Sequence, residues 1–373
     1  MSTHTLKSNI GEMLSLAGVR INGNDPWDIQ VNNDKFYTRA LAGGSLGVGE
    51  AYMEKMWDSP RLDQFFDRVL HANLEDRIKE NWKLLSEIIF SKIFNRQTYA
   101  HATMNAQKHY DLGNELFVRM LDKRMVYTCG YWSDAATLDE AQEKKLDLTC
   151  KKLNLKPGMN VLDIGCGWGS FAKFAAENYN VNVTGITVSK DQVELGKKMC
   201  EGLPVKIKLM DYRDLNEKFD CIVSLGMFEH VGYKNYRTYM QMASRCLKDD
   251  GLFLLHTIGS NTSSTFIDPW LDKYIFPGGM LPSVKQIGQA IEGLFVMEDW
   301  HNFSADYDKT LMAWHNNFVQ HWDELKHHYN EKFFRLWKYY LLMCAGSFRS
   351  RKNQLWQVVL SKNGVPGGYV SLR

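Results

Sequence analysis

Short apolar runs alternate with longer amphipathic stretches over much of the chain, from residue 159 towards the C-terminus. Six of these runs have the length and the Val, Ile and Leu content of buried strands: 159–164, 181–187, 204–210, 219–226, 251–257 and 355–361. Strands separated by helix-length segments are typical of a mostly parallel sheet with helices on both faces. Ligands of such sheets bind beyond the carboxyl ends of the strands. The pattern therefore predicts that the residues at the strand ends gather at one edge: Asp163, Thr187, Asp211, Gly226 and His256.

The N-terminal part has a different pattern, in which apolar residues recur three and four positions apart. This spacing predicts short helices over residues 5–90, most clearly at 62–70 and 81–95. The glycines at 43, 44, 47 and 49 resemble a phosphate-binding loop, but no Walker lysine follows them and no apolar strand precedes them. A turn between two small helices is the better interpretation.

A polar stretch without an apolar period, residues 95–109, separates this helical part from the rest of the chain. The predicted organisation is a small helical N-terminal domain (1–92), a linker (93–108) and a catalytic domain (109–373). The catalytic domain contains an aromatic insertion at 260–350, between its last parallel strands, and we expect this insertion to cap the site.

Composition excludes several classes of protein. The 373 residues carry a formal net charge of +2, which gives no broad basic field, so nucleic acid is not expected as a partner. The chain has no apolar run of the roughly 18 residues that span a membrane, and its start lacks the apolar segment of a signal peptide. Seven cysteines are scattered without CxxC pairs, which predicts reduced thiols in the cytosol. Histidines and carboxylates lack ligand-like spacing, so no metal is expected.

The stretch VLDIGCGWGS predicts the type of ligand. Asp163 ends an apolar run and is followed by three glycines at alternate positions, which let the backbone turn tightly and approach a ligand closely. A dinucleotide site would have its third glycine where Ser170 stands, and an acidic residue where Thr187 stands. The pattern D-x-G-x-G-x-G instead favours S-adenosylmethionine. With the alternating elements it predicts an α/β fold, the seven-stranded Rossmann-like sheet of class I methyltransferases.

Further polar side chains stand near the predicted strand ends. Glu229 follows the fourth strand, where it either holds a base or substrate group, or is an acid favoured at the start of a helix. His256 ends the fifth strand and either takes part in the chemistry or satisfies a neighbouring backbone group. The segment YTCGYW at 127–132 precedes the first strand and is expected to lie across the cofactor, and Tyr307 comes from the insertion.

Several long motifs occur along the chain in one order: GSLGVGEAYM, HYDLGNELF, YTCGYW, VLDIGCGWG, GMFEHVG, LLHTIG, DPWLDKYIFPGGMLPS and ADYDKTLMAW. Together they resemble the motifs of bacterial cyclopropane-fatty-acyl-phospholipid synthases. The resemblance extends over essentially the whole chain, and several independent motifs in the right order are far more specific than the glycine loop alone.

The resemblance implies that S-adenosylmethionine gives its methyl carbon to a cis double bond in an acyl chain of a membrane phospholipid, where it becomes the methylene bridge of a cyclopropane ring. It also implies that bound bicarbonate deprotonates a carbocation and is held by matching residues: Cys129, Glu229, His256, Ile258 and Tyr307. The residues that match the S-adenosylmethionine contacts are Tyr127, Thr128, Asp163, Gly165, Gly167, Thr187, Gln192, Asp211 and Tyr212. Met210 stands where close relatives carry glutamine, a departure that bears on a polar contact near the adenine.

The expected partner is a phospholipid bilayer with unsaturated acyl chains, because drawing an acyl chain through water costs about 0.8 kcal/mol for each methylene. The protein is therefore expected in the cytoplasm, peripherally associated with the inner face of the cell membrane, and a homodimer is left open. Two groups are candidates for docking on lipid. One is the helical N-terminal domain (1–92), with its aromatic residues Trp57, Phe65, Phe66, Trp82 and Phe90, and the other is the basic cluster of Arg349, Arg351 and Lys352. Each group also has a plainer interpretation, as interface packing or as a solvated turn.

Three other functions are distinguished by their chemistry. An S-adenosylmethionine-dependent methyltransferase that makes a methyl-branched lipid, or that methylates another small apolar substrate, shares the fold and the glycine loop. A lipid-binding protein with a degenerate enzyme fold has no use for Asp163, Glu229 and His256 together. A nicotinamide dehydrogenase is disfavoured by the spacing of the glycines.

Overall fold

The structure is a computed structural model that describes residues 3–74 and 113–373. The chain forms two compact units, each discontinuous in sequence. The helical unit comprises Met1–Met120, Ile267–Gly278 and Leu311–Lys352, and the sheet unit comprises Leu121–Phe266, Gly279–Thr310 and Asn353–Arg373. Each unit thus contains part of the aromatic insertion, whose role as a cap stays a prediction. The predicted linker lies outside the described residues, and the predicted domain boundaries stay predictions as well.

The described helices and strands are numbered here in chain order. The helices are α1 (Thr3–Ser15), α2 (Lys35–Met53), α3 (Leu62–His71), α4 (Gly113–Met120), α5 (Leu138–Lys152), α6 (Ser170–Tyr179), α7 (Lys190–Met199), α8 (Tyr236–Cys246), α9 (Pro269–Tyr274), α10 (Val284–Ile291), α11 (Ala305–Gln320), α12 (Trp322–Leu325) and α13 (Glu331–Arg349). The strands are β1 (Gln30–Val31), β2 (Trp57–Asp58), β3 (Asn160–Ile164), β4 (Asn182–Thr187), β5 (Val205–Leu209), β6 (Phe219–Leu225), β7 (Leu247–Ser260), β8 (Val296–Asn302) and β9 (Asn353–Ser361). Among these helices, none is both long enough and apolar enough to cross a membrane.

Local sequence explains the helices of the helical unit. α3 confirms the helix predicted at 62–70, and its three-and-four spacing buries Phe65 and Phe66. The glycine-rich stretch lies in α2, which is interrupted at Gly44, where φ is +53° and ψ is −136°. Residues other than glycine rarely adopt this backbone conformation. The stretch is therefore a turn between two helical segments, as predicted. The helix predicted at 81–95 lies outside the described residues.

Three of the aromatic side chains proposed for membrane docking are core residues of the helical unit. Trp57 is fully buried, and Phe65 and Phe66 are 6% and 7% exposed. The ring of Phe65 lies 5.2 Å from that of Trp57 and 5.1 Å from that of Phe66. The docking interpretation is wrong for these three residues, because their apolar surface is already covered. Trp82 and Phe90 lie outside the described residues.

The basic cluster proposed for headgroup binding contains one residue that pairs within the helical unit and two residues that are exposed. The Arg349 guanidinium donates to Asp63 Oδ2 at 2.7 Å, and Asp63 is only 2% exposed, so this pair belongs to the fold of the helical unit. Arg351 and Lys352 are exposed. Contact with anionic headgroups stays a prediction for these two residues.

The sheet unit is built on seven strands in the order β5-β4-β3-β6-β7-β9-β8. The first five of these run parallel to one another. This arrangement confirms the predicted α/β class and the seven-stranded sheet. Strand order reverses between β3 and β6, which is the position where such sheets form a crevice for ligands beyond their carboxyl ends.

The edge formed by β9 and β8 differs from the prediction in two ways. β9 pairs antiparallel with both β7 and β8, whereas the run at 355–361 was expected to be the last parallel strand. A strand buried on both faces is apolar throughout whichever way it runs, so its sequence carries no direction. β8 was not predicted, because this edge strand has no continuous apolar run: Val296 is exposed while Asp299 and His301 are buried.

All seven cysteines are free, in agreement with the prediction of reduced thiols.

Arg335 connects three acceptors within the helical unit. Its guanidinium donates to the backbone oxygens of Tyr52 at 2.6 Å and Trp57 at 3.0 Å, and to Asp58 Oδ2 at 2.8 Å. It also lies 3.9 Å from the centroid of the Tyr52 ring. A planar fork of N–H donors is suited to several acceptors at once.

We expect Arg335→Met to lower the free energy of unfolding of the helical unit by about 2–4 kcal/mol, because two buried carbonyls and a carboxylate lose their donor. The measurement is denaturant unfolding followed by tryptophan fluorescence. Lys332→Met, at an exposed position of the same helix, is the matched control and should change little. Equal unfolding midpoints for the two variants would contradict this account of Arg335.

Candidate active site

The glycine loop turns tightly at the end of β3. Gly165 has a φ of +77°, and its N–H donates to the backbone oxygen of Ile186 on β4 at 2.9 Å. A Cβ at Gly165 would lie 2.7 Å from the Cβ of Met227, so a larger residue does not fit. Gly167, with a φ of +55°, faces open space, and α6 begins at Ser170. The loop therefore leaves room for a ligand in front of a helix N-terminus.

Asp163 is a buried carboxylate whose hydrogen bonding is incomplete. It is 2% exposed, and its Oδ2 atom has no hydrogen-bond partner. Burial raises the pKa of Asp163 from 3.8 to about 7, and the positive charge of Lys145 acts in the opposite direction. A ligand with a cationic or N–H-bearing group would complete this bonding, so Asp163 fits the role expected for it in holding S-adenosylmethionine.

Two further predicted cofactor residues meet at the end of β4. The Thr187 hydroxyl donates to Gln192 Oε1 at 2.6 Å and accepts the N–H of Ser189 at 3.2 Å. Ser189 in turn caps α7. Thr187 and Gln192 therefore form one rigid polar group beside the glycine loop's strand.

Asp211 and Tyr212 follow β5, the next strand outward. Asp211 accepts two bonds from the guanidinium of Arg213, at 2.8 and 2.7 Å, and these bonds lower the pKa of Asp211. The Tyr212 ring lies edge-on to Tyr239, with 5.1 Å between their centroids. Met210, the departure from the family pattern, packs against the apolar core.

The Glu229 side chain bonds to β7 beyond the last paired residues of β6 and β7. The last backbone hydrogen bond at this end of the two strands is donated by the Gly226 N–H to the His256 oxygen at 2.9 Å. Farther along β7, the Ile258 N–H donates at 2.7 Å to Glu229 Oε1, which takes the place of a strand carbonyl. Oε2 of Glu229 has no partner, although the residue is only 7% exposed. Burial raises the pKa of Glu229 from 4.5 to about 7, against the effect of the Ile258 amide.

His256 is the third buried predicted site residue that has a side-chain atom without a hydrogen-bond partner. It is 1% exposed, its Nδ1 atom lies 3.4 Å from Gln357 Nε2, and its own Nε2 atom has no partner. Burial, and then the positive charges of Lys145 and Lys152, lower the pKa of His256 well below its usual value. The ring is therefore neutral at physiological pH.

Cys129 and Tyr307 are positioned by the start of α11. The Thr310 hydroxyl accepts the N–H of Gly130 at 3.1 Å and the indole N–H of Trp132 at 2.9 Å, and it lies 3.7 Å from Cys129 Sγ. Tyr307 lies one helical turn earlier and is 8% exposed. Burial raises the pKa of the Cys129 thiol well above its usual value, so the sulfur stays protonated and is no thiolate nucleophile.

Two contacts bring the Cys129 segment to the ends of β6 and β7. The Phe303 ring lies 5.4 Å from Tyr131 and 5.8 Å from His256. A Cβ at Gly226 would lie 2.7 Å from Thr128 Cγ2, so the turn after β6 closes directly on Thr128. Predicted residues from four separate segments are thus connected within one unit, and their catalytic and binding roles stay proposals.

The sequence pattern did not reveal the two residues that hold Thr128 in place. Tyr127, the neighbour of Thr128 in the chain, is half-buried. Gln142 Nε2 donates to the Thr128 oxygen at 2.7 Å, and Lys145 Nζ donates to Thr128 Oγ1 at 2.8 Å. Both side chains are fully buried on α5. The signal was weak, because Lys145 follows the half-buried Lys144 and two consecutive lysines are typical of a solvated helix face.

Two cavities in the described part of the sheet unit are formed by other residues. One of about 320 Å³ is lined by Lys123, Arg124, Ser170, Lys173, Glu177 and Met199. The other, of about 200 Å³, is lined by Tyr233, Tyr236, Arg237, Gln286, Gln289 and Ala290. Neither is lined by a predicted site residue, so an apolar channel for the acyl chain stays a prediction.

Comparison with known proteins identifies the family. The sequence profile of the family described as Mycolic acid cyclopropane synthetase matches residues 97–358, which include every predicted site residue. Over 357 residues the chain is 55% identical to the cyclopropane-fatty-acyl-phospholipid synthase of Escherichia coli strain K12, covering 96% of this chain and 93% of that protein. The chain belongs to the cyclopropane synthase family. It is an S-adenosylmethionine-dependent methyltransferase, as the glycine loop predicts.

Solved structures confirm the fold of this cyclopropane synthase family member. The mycolic acid cyclopropane synthase CmaA1 in complex with SAH and CTAB has a TM-score of 0.65 and 32% identity, over 70% of this chain and 98% of that one. Coclaurine N-methyltransferase bound to N-methylheliamine and SAH has a TM-score of 0.66 over 84% of this chain and 99% of that one. At 24% identity, the second likeness concerns the fold alone.

Glu229→Gln should change how stability depends on pH. Because burial raises the pKa of Glu229 from 4.5 to about 7, folding favours the protonated acid. The stability that Glu229 contributes is complete below pH 4.5 and is lost as pH rises towards 7. The free energy of unfolding of Glu229→Gln minus that of wild type should therefore increase over this range, by up to about 3 kcal/mol, and then level off.

The measurement is urea unfolding of the ligand-free protein at a series of pH values. Glu201→Gln, at an exposed carboxylate, should give a difference that hardly changes with pH. A pH-independent difference for Glu229→Gln as well would show that Glu229 titrates normally.

Proposed function

We propose that this protein transfers a methylene carbon from S-adenosylmethionine to the cis double bond of an unsaturated acyl chain in a membrane phospholipid, and so forms a cyclopropane ring. The observation that carries this proposal is the pair of open hydrogen-bonding atoms, Glu229 Oε2 and His256 Nε2, on buried residues at the ends of β6 and β7. Such a pair can hold a small proton acceptor beside the cofactor loop, as the loss of a proton from an alkylated alkene requires. The name of the Escherichia coli relative supports the same substrate class.

S-adenosylmethionine supplies a strongly electrophilic methyl group carried on a sulfonium. The groups proposed to hold it are those beyond the ends of β3, β4 and β5: Asp163, Gly165, Gly167, Thr187, Gln192, Asp211 and Tyr212, with Tyr127 and Thr128 from the segment before β3. Asp163 offers a carboxylate oxygen without a partner, and Gly167 leaves the adjoining space open. SAH in the CmaA1 complex is the product that remains after methyl transfer, and its presence there supports this assignment.

An alkene is a weak nucleophile, and its alkylation leaves a carbocation that water would capture. The site must therefore exclude water and tolerate positive charge. Aromatic rings serve both needs, since each ring face stabilises a nearby cation by roughly 0.5–2 kcal/mol. Phe303 lies against both His256 and Tyr131, and Tyr307, which is buried, is the third ring proposed to line the site.

The proton that closes the ring is very acidic, so its acceptor need only be well placed. Bicarbonate is the proposed acceptor, and it would supply a weak base when bound. Cys129, Glu229, His256 and Tyr307 are the groups proposed to contact it, and the Ile258 amide acts by fixing Glu229. The neutral imidazole of His256 is a donor, whereas ionised Glu229 accepts the hydrogen of bicarbonate itself. The thiol of Cys129 donates to the backbone oxygen of Gly130 at 3.1 Å, so it would line the site without donating to the anion.

The bilayer follows as the proposed partner. A dozen methylenes would cost roughly 10 kcal/mol to draw through water, so the acyl chain should pass directly from membrane to protein. CTAB in the CmaA1 complex is a molecule with a long apolar chain, which supports this class of substrate. Peripheral association with the inner face of the cell membrane, with or without a homodimer, is part of this proposal.

Incubation with S-adenosylmethionine, bicarbonate and vesicles of unsaturated phospholipid should add the mass of one CH₂ group to each modified acyl chain. NMR of the product should show cyclopropane protons and no new methyl branch. Glu229→Gln should form product at least about 100-fold more slowly while binding S-adenosylmethionine normally, because it loses only the group that orients the acceptor. Glu201→Gln is the matched control and should retain full activity.

A methyl-branched product would favour the alternative lipid methyltransferase, and the absence of any lipid product would exclude the proposed substrate class. Unchanged turnover in Glu229→Gln would remove Glu229 from the site.

A further inference from the structure

One face of α5 is polar although it is fully buried. Gln142, Lys145, Thr149 and Lys152 follow one another at intervals of three, four and three residues, and each is 0% exposed. Such spacing places them on a single side of the helix. Because a buried polar group without a partner is costly, each of these side chains requires a defined partner.

The partners of these side chains lie in three segments: residues 127–132, β8 and β9. Gln142 and Lys145 bond to Thr128, as described above, and Lys152 Nζ lies 2.9 Å from Nδ1 of His301 on β8. Thr149, in the middle of the face, is 3.2 Å from the side-chain amide of Gln357 on β9. Gln357 stands directly opposite His256 in the register of β7 and β9. Thr149, in the middle of this face, is therefore connected to His256 through a single residue, Gln357.

The hydrogen bonds along this path have one direction. The Thr149 hydroxyl donates to the backbone oxygen of Lys145 at 2.8 Å. Since a hydroxyl has one proton, Thr149 Oγ1 can only accept from Gln357, and this requirement turns the NH₂ group of Gln357 towards it. The same NH₂ group lies 3.4 Å from His256 Nδ1. That nitrogen must then be an acceptor, which leaves the ring proton on Nε2.

We propose that Gln357, oriented by Thr149, is a positioning residue that keeps the proton of neutral His256 on Nε2 and so makes His256 a hydrogen-bond donor to the substrate side of the site. The open position at His256 Nε2 is then an N–H group directed at an oxygen of the reaction's proton acceptor. His256 orients this acceptor and does not remove the proton itself. The identity of the acceptor rests on the proposed function, whereas the tautomer of His256 does not.

The charges around His256 support a neutral ring. Lys145 and Lys152, on the α5 face, lower the pKa of His256 in addition to the effect of burial. Phe303 covers the ring from another side, and Gln357 contributes no charge. A carboxylate at position 357 would reverse this arrangement, because it accepts a proton from Nδ1 or stabilises the imidazolium.

Long-range ¹H–¹⁵N spectra of the full-length protein labelled with ¹⁵N-histidine distinguish the two tautomers and the imidazolium, and the loss of signals in His256→Asn assigns the ring. Wild type should show Nε2 protonated and Nδ1 unprotonated. Gln357→Glu should move a proton to Nδ1 and lower kcat at least tenfold, while the affinity for S-adenosylhomocysteine stays within about twofold. Gln354→Glu, which adds the same charge on β9 next to Asn302 and Ser304, is the matched control and should leave the His256 signals unchanged.

Thr149 provides a second test that does not depend on a new charge. Thr149→Val should broaden or shift the His256 signals and lower kcat, and Thr149→Ser should restore both, because it keeps the hydroxyl. Wild type with Nδ1 protonated, or Gln357→Glu with the wild-type spectrum, would overturn the proposal. If the spectra follow the proposal but turnover is independent of bicarbonate, the tautomer assignment stands and the bicarbonate step of the proposed function fails.

Discussion

Burial of ionisable groups at the ends of β3, β6 and β7 is the constraint on which the rest of the site depends. Asp163, Glu229 and His256 each have a polar atom that is both shielded from water and without a partner. Each such atom costs about 1–3 kcal/mol. The fold tolerates this cost because the remaining atoms are held rigidly, by the Ile258 amide for Glu229 and by Gln357 for His256. The same lack of water is what a carbocation intermediate requires.

The fold alone does not determine the substrate. Coclaurine N-methyltransferase, whose structure has N-methylheliamine bound, shares this architecture. The distinction must therefore lie in side chains placed around a common sheet. Here Glu229 replaces a strand carbonyl, the Cys129 thiol is protonated and the His256 ring is neutral. This set is suited to holding a small anion and not to attacking a substrate.

Much of the sheet unit could be predicted from local sequence, because buried parallel strands are continuous apolar runs and a glycine loop has a distinctive spacing. α3 was also predictable from local sequence, because its apolar residues recur three and four positions apart. β8 could not be predicted, since an edge strand that buries Asp299 and His301 has no apolar run. The buried face of α5 could not be predicted either, because Lys145 and Lys152 each follow a lysine that is less buried, and only tertiary contacts decide which of the two is covered. The aromatic residues of the helical unit led to a wrong prediction of a docking surface, because an abundance of rings is typical of a core as well as of a membrane surface.

The central claim is that a small anion held by Glu229 and His256 removes the proton that closes the ring. Its most direct test is the rate of lipid modification by the full-length protein in carbon dioxide-free buffer, measured as bicarbonate is added back at constant pH and ionic strength. The account predicts little turnover without bicarbonate and a saturable increase on its addition, with the affinity for S-adenosylmethionine unchanged. Full turnover in the depleted buffer would contradict it.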